Sequence, residues 1–479
     1  MDVIEFLLAK QNNHKVAIKQ GEREVTYHQL NQESYKVSKV IENESGQNVG
    51  LFIPNSIEYI IGYFGILFAH KTNVILNAQL TVAEIELIAA ESDMKTLVTI
   101  STNKEAFKVL EKKLQIVYVD EMYLEKSEEV DEIKIASPNK EDIALIFPTS
   151  GTTGLPKLVM YSHETLMTGI EWTLETMLTP ESGRELVVIP LCAAFINTEQ
   201  MLLNLYVGAT IILYEGRLKL NKLFNMFDKE KITRCSVVPS VLKLIAEYYN
   251  PEKHHIEQLD RILIAGEKID EGDFIYIKEK LAPVKVIQSY GMTEASTPIC
   301  HKTYEDWDQY PESVGRTVGE MQLKVIDGSG KTVKAGELGE ILITSPYLMK
   351  GYYGKSEAFL KDGWLYTGDI GYKTEEGYVY IMGRKKNVII SGGRNIFPEE
   401  VEAMIRKHKM IHEIKVYGEK SESSREIVVA DIEIEPGEVF DLNALSTYCQ
   451  EHLAFYKIPK HFYVVEEIEK TASNKIKRR

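Results

Sequence analysis

Apolar positions fall in short runs through the first part of the chain, and stretches with helical spacing separate them. The runs 49–53, 96–99, 116–119 and 143–147 have the length and residue content of strands. Thr26 opens a helical stretch, 57–69 predicts a buried helix, and 81–90 predicts another with Thr81 as its N-cap. The alternation continues through strands at 186–189, 210–213, 235–238, 261–265 and 284–288. This pattern predicts α/β layers with substantially parallel sheets. After Thr317 the texture changes. Strands at 322–326, 339–344 and 377–382, with turns such as Asp327-Gly-Ser-Gly330, predict a small β-rich subdomain. A boundary follows at 383–386, and the remaining roughly 90 residues suffice for a small domain. They read as strand 388–390, a helix from Pro398, strands 414–417 and 427–434, helix 441–453 and strand 462–465. Pro398 suits a first helical turn, and Glu399 and Glu400 suit its positive end. The expectation is therefore a large N-terminal region over 1–384, with two layered α/β subdomains and the β-rich piece. A small, mobile α+β lid over 385–479 follows it.

Composition narrows the function. The 479 residues are 44% hydrophobic and 27% charged, as in ordinary soluble proteins. A net charge of -15 argues against nucleic acid as a partner. It leaves room for a nucleotide held by local lysines and glycine-rich backbone. Cys192, Cys235, Cys300 and Cys449 form no Cys-x-x-Cys pair, so neither a zinc site nor a disulfide framework is indicated. The first ten residues carry acid where a signal peptide needs base, and the most apolar window, 60–69, is too short to span a bilayer. A cytoplasmic protein without membrane insertion is expected, as a monomer or homodimer.

The most informative stretch follows the 143–147 strand. Thr149, Ser150, Gly151, Thr152, Thr153, Gly154 and Lys157 form a loop of hydroxyls, glycines and one lysine. Glycines let backbone N–H groups turn outward, and the lysine adds a compact positive charge, a set that suits a polyphosphate. It is not a Walker A loop, because Leu158 follows the lysine where Ser or Thr should stand. A second motif, Tyr290-Gly291-Met292-Thr293-Glu294, follows the 284–288 run. A tyrosine at a strand end can stack on a purine, Thr293 can bond a phosphate, and Glu294 is a hard oxygen ligand suited to Mg²⁺.

The order Thr-Ser-Gly-Thr-Thr-Gly-Leu-Pro-Lys resembles the phosphate loop of the adenylate-forming superfamily, which includes acyl-CoA synthetases, peptide-synthetase adenylation domains and beetle luciferases. Tyr-Gly-Met-Thr-Glu is similar to that superfamily's adenine and α-phosphate motif, in the Met292 form of acyl- and aryl-CoA ligases. The resemblance spans nearly the whole chain, with the motifs in family order. It implies that Asp369 and Arg384 take the ribose hydroxyls, that Ala265, Gly266 and Glu267 run beside adenine and the acyl group, and that Lys386 is a hinge. It implies that Ser391, Gly392 and Gly393 line a coenzyme A tunnel. Lys475, in Lys470-Thr471-Ala-Ser473-Asn474-Lys475, matches the catalytic lysine, with Lys470 and Lys477 as rivals. The motif's proline and glycine are Glu469 and Asn474 here. Ala193, Ala194, Phe195 and Asn197 fall in the acyl pocket, and the family's histidine falls near Ala193.

The implied reaction has two steps. A carboxylate attacks the α-phosphorus of MgATP to give acyl-adenylate and pyrophosphate; a thiol then takes the acyl group. Such phosphoryl chemistry needs positioning more than a protein nucleophile. ATP, Mg²⁺ and coenzyme A are the expected small molecules. No charged side chain lies in 190–197, so an apolar acid, fatty or aromatic, is expected. A carrier-protein pantetheine is the alternative acceptor. A non-catalytic nucleotide- or acyl-binding regulator is the reading from another class, and a binder would not need Lys475, Asp369, Arg384 and Glu294 together.

Overall fold

The computed structural model describes the chain apart from residues 123–129, 150–155, 267–268, 270, 296, 356–358, 392–393, 421–425, 471–475 and 479. Two compact units emerge from its contacts. One comprises Met1–Gln322 and Thr344–Gly363, the other Leu323–Ile343 and Trp364–Arg479.

Two large sheets build the first unit. One has nine strands, in the order Arg316–Thr317, Cys300–Lys302, Lys285–Tyr290, Arg261–Ala265, Arg234–Val237, Arg184–Val187, Thr210–Leu213, Val16–Gln20 and Arg23–Thr26. From Lys285–Tyr290 to Val16–Gln20 the strands run parallel, and antiparallel strands close both edges. The other has seven, in the order Gly351–Tyr352, Lys157–Ser162, Ile143–Thr149, Thr72–Ile75, Asn48–Leu51, Thr96–Thr99 and Gln115–Tyr118. It too is parallel from Ile143–Thr149 onward. The central strands are buried along their whole length, which explains why they read as continuous apolar runs rather than alternating ones. The antiparallel strands Lys157–Ser162 and Gly351–Tyr352 did not stand out in the pattern.

The helix Ile57–Phe68 is buried on every face, as expected for a helix with no polar stripe. Ser56 caps it, its Oγ accepting the Tyr59 N–H at 3.3 Å. Gly65 allows its close approach to the helix Tyr27–Ile41, since a Cβ there would lie 2.4 Å from Val37 Cγ1. Thr26 with Gln29, and Thr81 with Glu84, form reciprocal capping boxes at the helix starts read from the sequence. No helix of the described residues is long and apolar enough to cross a membrane.

In the second unit a four-stranded sheet has the order Gln322–Ile326, Gly339–Thr344, Leu365–Lys373 and Val379–Arg384. The remaining chain forms an α+β module. Its strands Ile411–Lys420, Glu426–Ile434 and His461–Val464 carry the helices Pro398–Ile405 and Leu442–His452. Ile396, Val401, Ile405, Ile414, Val416, Ile432 and Leu445 form its core. Pro398 occupies the first turn of its helix. Among the described residues, contacts tie the four-stranded sheet, the turn Lys385–Asn387 and this module together. Lys385 Nζ lies 2.6 Å from Glu340 Oε2, Asn387 Nδ2 donates to Glu399 Oε1 at 2.8 Å, and a Cβ on Gly383 would sit 2.5 Å from Glu399 Oε2. The line expected at 384/385 thus falls inside the second unit.

One buried group in the first unit has no compensation. The residues Ile196–Leu202 form a π-helical turn in which the Leu203 N–H reaches back to Thr198 O. Glu199, within it, is buried, and neither carboxyl oxygen finds a partner among the described residues. Its neighbour Glu185 is better served, with Arg234 Nε at 3.5 Å and a hydrogen bond from Gln200. Burial, with the Glu185 charge adding to it, pushes the Glu199 carboxyl up to about 8. The folded protein therefore holds a proton that the unfolded chain releases near the ordinary value of 4.5. This contribution is fully present below that value and is lost as pH rises towards 8, at about 1.4 kcal/mol per pH unit. Glu199→Gln, which stays neutral, is expected to flatten this decline. Urea midpoints measured from pH 5 to 8.5 check it, and parallel pH slopes for the variant and the parent would refute it.

Candidate active site

Parallel strands deliver their carboxyl ends to one edge of a sheet, where α/β proteins bind ligands. Three strands of the nine-stranded sheet do so here. Arg184–Val187 leads to 190–197, Arg261–Ala265 leads to Gly266, and Lys285–Tyr290 ends on Tyr290 itself. Ala265 is buried and lies opposite Ser289. Gly266 has φ +94, and a Cβ there would meet no atom of the described residues within 4 Å. Glu267 lies outside the described residues. Tyr290 is partly exposed, Gly291 is exposed, and Met292, Thr293 and Glu294 are partly exposed.

The phosphate loop joins two antiparallel strands of the seven-stranded sheet. Thr149 and Lys157 are direct partners across that pair, and Thr149 Oγ1 donates to Lys157 O at 3.3 Å. Between them, Ser150, Gly151, Thr152, Thr153 and Gly154 lie outside the described residues. Lys157 Nζ stands 5.0 Å from the ring centroid of Tyr352. Tyr352 Oη in turn donates to Glu294 Oε1 at 2.9 Å. Tyr161 Oη donates to Thr293 O, and Met349 N to Glu294 O at 3.1 Å. The two motifs read separately along the chain therefore meet through Tyr161 and Tyr352, which sequence reasoning missed. The one available signal was the apolar run after Lys157, in which Tyr161 occupies a strand position.

This arrangement fits a metal-bound polyphosphate. Glu294 presents a hard carboxylate that Tyr352 links to Lys157. Among the described residues no group of three or more His, Cys, Asp or Glu could hold a metal ion by itself. Mg²⁺ is commonly held by one or two carboxylates together with phosphate oxygens and water, a part that Glu294 would fill.

In the second unit, Asp369 and Arg384 are direct partners on neighbouring strands. Asp369 is not at a turn, where the Thr-Gly-Asp sequence would put it. It sits within the strand Leu365–Lys373, whose burial alternates, and Gly368 takes φ +73 without ending the strand. The residue is only 3% exposed, with Arg384 Nε 2.8 Å from Oδ1. Arg384 Nη1 also donates to Thr367 O at 3.0 Å, and Thr367 Oγ1 anchors to Ile341 O at 2.7 Å. A carboxylate held this way can accept from paired hydroxyls such as those of a ribose.

The residues expected in the acyl pocket divide by exposure. Ala193, Ala194 and Phe195 are partly exposed, whereas Asn197 is buried. The Asn197 amide is committed to the wall: Oδ1 accepts from Tyr63 Oη at 3.1 Å, and Nδ2 donates to Leu191 O at 3.4 Å. Asn55 clamps the same segment, donating to Ile189 O at 2.9 Å and accepting from Leu191 N at 2.7 Å.

Lys386 is exposed in the short turn Lys385–Asn387, between the anchored Lys385 and Asn387. Ser391 pairs with Arg394 across Gly392 and Gly393, which lie outside the described residues. So do Thr471, Ser473, Asn474 and Lys475. Both flanks of that tail segment are tied down. Lys470 Nζ lies 2.9 Å from Glu413 Oε2, and Lys470 bridges to Ile476. Arg478 reaches Glu402 Oε2 at 2.6 Å and Val416 O at 3.1 Å. Burial raises the Glu402 carboxyl, and Arg478 opposes that rise. The rivals Lys470 and Lys477 each face a carboxylate, the latter Glu469 at 3.1 Å.

Comparison with known proteins agrees with this architecture. The family model described as AMP-binding enzyme matches residues 7–353, and that described as AMP-binding enzyme C-terminal domain matches 400–475. A long-chain-fatty-acid–CoA ligase of Bacillus subtilis is 29% identical over 97% of this chain and 91% of its own. A 2-succinylbenzoate–CoA ligase of Bacillus licheniformis is 30% identical over 97% of this chain and 96% of its own. The solved o-succinylbenzoate CoA synthetase of Bacillus subtilis, in complex with its acyl-adenylate intermediate, superposes with a TM-score of 0.90. It is 26% identical, covering 99% of this chain and 97% of that one. The chain belongs to the AMP-binding enzyme family, the adenylate-forming ligases that its motifs resemble.

Proposed function

We propose that this AMP-forming acid–thiol ligase joins an apolar carboxylic acid, fatty or aromatic, to coenzyme A in two steps. The observation that carries the reading is the meeting of Lys157, Thr293 and Glu294 through Tyr161 and Tyr352. Lys157 and the 149–154 loop grip the β- and γ-phosphates, Tyr290 stacks on the purine, and Asp369 with Arg384 holds the ribose. Mg²⁺ neutralises charge on the phosphates when Glu294 holds it there. Lys475 bridges the acid's carboxylate and the α-phosphate, where negative charge develops as the new O–P bond forms and pyrophosphate leaves. In the second step a thiolate attacks the acyl carbonyl and AMP departs with its electron pair.

The partly exposed Ala193 and Ala194, with no cation in 190–197, support an apolar acyl group. A second reading, 2-succinylbenzoate as the acid, is favoured by the likeness to ligases of that name over nearly the full chain. Residues 385–479 act as a lid that turns on Lys386, bringing Ser391, Gly392 and Gly393 to the pantetheine arm. A carrier-protein pantetheine is the rival acceptor. Four free cysteines suit a reducing, cytoplasmic setting.

Pyrophosphate release over a panel of fatty acids, aromatic acids and 2-succinylbenzoate, with and without coenzyme A, tests the acid and the acceptor together. Release by apolar acids, with thioester formed only when coenzyme A is added, is the expected result. Lys475→Ala should lower acid-dependent ATP–pyrophosphate exchange about 10²- to 10³-fold while ATP still binds. Full exchange in that variant, with loss in Lys470→Ala or Lys477→Ala instead, would move the role to the rival lysine. Lys386→Pro should leave exchange within about threefold and cut thioester formation at least about tenfold. Equal loss of both steps would remove Lys386 as the hinge.

A further inference from the structure

Tyr352 serves neither phosphate nor purine in the reading above, yet it touches both sides of the site. Its backbone position is set by a ladder onto the strand Lys157–Ser162. Gly351 pairs with Met160 and Tyr352 with Val159. On either side, Lys350 N donates to Met160 O and Tyr353 N to Leu158 O, each at 2.8 Å. The strand that begins at the phosphate-loop lysine therefore also fixes the tyrosine. The aromatic face meets Lys157 Nζ at 5.0 Å, a cation–π distance. The hydroxyl meets Glu294 Oε1 at 2.9 Å.

We propose that Tyr352 is a positioning residue that sets the carboxylate of Glu294 for Mg²⁺ and holds it in register with Lys157. The inference rests on the reading of Glu294 as the metal ligand. A carboxylate has two oxygens, and a donor fixed on one of them restricts rotation and directs the other. Met349 N, bonded to Glu294 O, holds the backbone of the same residue. Partners of this kind orient metal ligands, and their loss costs metal affinity rather than fold.

The test measures ATP binding by calorimetry on the full chain, without acid or coenzyme A, at a series of Mg²⁺ concentrations and in EDTA. Tyr352→Phe keeps the ring and removes the hydroxyl. It should raise the Mg²⁺ concentration for half-maximal enhancement of ATP binding about tenfold or more. Binding in EDTA should stay within about twofold. Tyr352→Leu removes the ring as well and should also weaken binding in EDTA about two- to fivefold. Glu294→Gln is the control and should abolish the Mg²⁺ enhancement. A Mg²⁺ dependence lost in Glu294→Gln but unchanged in Tyr352→Phe overturns the positioning role alone. A dependence unchanged in Glu294→Gln overturns the ligand reading and this inference with it. Equal weakening of binding with and without Mg²⁺ in Tyr352→Phe would mark a merely structural tyrosine.

Discussion

Two tyrosine hydroxyls tie the large sheets together at Thr293 and Glu294. The phosphate loop hangs from one sheet and the purine motif from the other. Phosphoryl chemistry of this class depends on positioning, and positions held on strands are more exact than those held on loops. Tyr161 and Tyr352 supply the link from two neighbouring antiparallel strands, so the phosphate-loop lysine and both linking tyrosines share one ladder.

A second constraint acts on the acyl side. The fully buried helix Ile57–Phe68 cannot shift without opening the core, and its tyrosines spend their hydroxyls on Leu191 and Asn197. Asn55 completes the clamp. The segment 189–197 is thus held from several sides, and its partly exposed positions Ala193 and Ala194 are small. The π-helical turn that follows brings Glu199 into the interior without a partner among the described residues, a buried cost that the surrounding packing must offset.

The C-terminal module shows the same economy of anchors. Lys385 and Asn387 are fixed on either side of Lys386. Lys470 and Arg478 are fixed on either side of the segment with Lys475. Arg478 matters beyond its charge. Without it the Glu402 carboxylate would be buried beside Val416 and unpaired, a loss of about 3–5 kcal/mol in comparable buried pairs.

The sequence by itself determined the fold class, the order of the motifs and most central strands. Those strands are buried on both faces, so 96–99, 210–213 and 261–265 could be read from apolar runs alone, and Thr26, Ser56, Thr81 and Pro398 start helices by local chemistry. It also determined the reaction class, because the loop at 149–157 and the Tyr290–Glu294 motif each carry their groups within a few residues. Tertiary structure alone decided which side chains from distant positions meet. Tyr352 reaches Glu294 across 58 positions, and Tyr161 reaches Thr293 across 132. Asp369 faces Arg384 only because a strand continues through Gly368, where the local signal says turn. Local patterns report which face of an element is apolar. Register and edge pairing depend on chain segments brought together by the whole core, and no window of sequence contains that information.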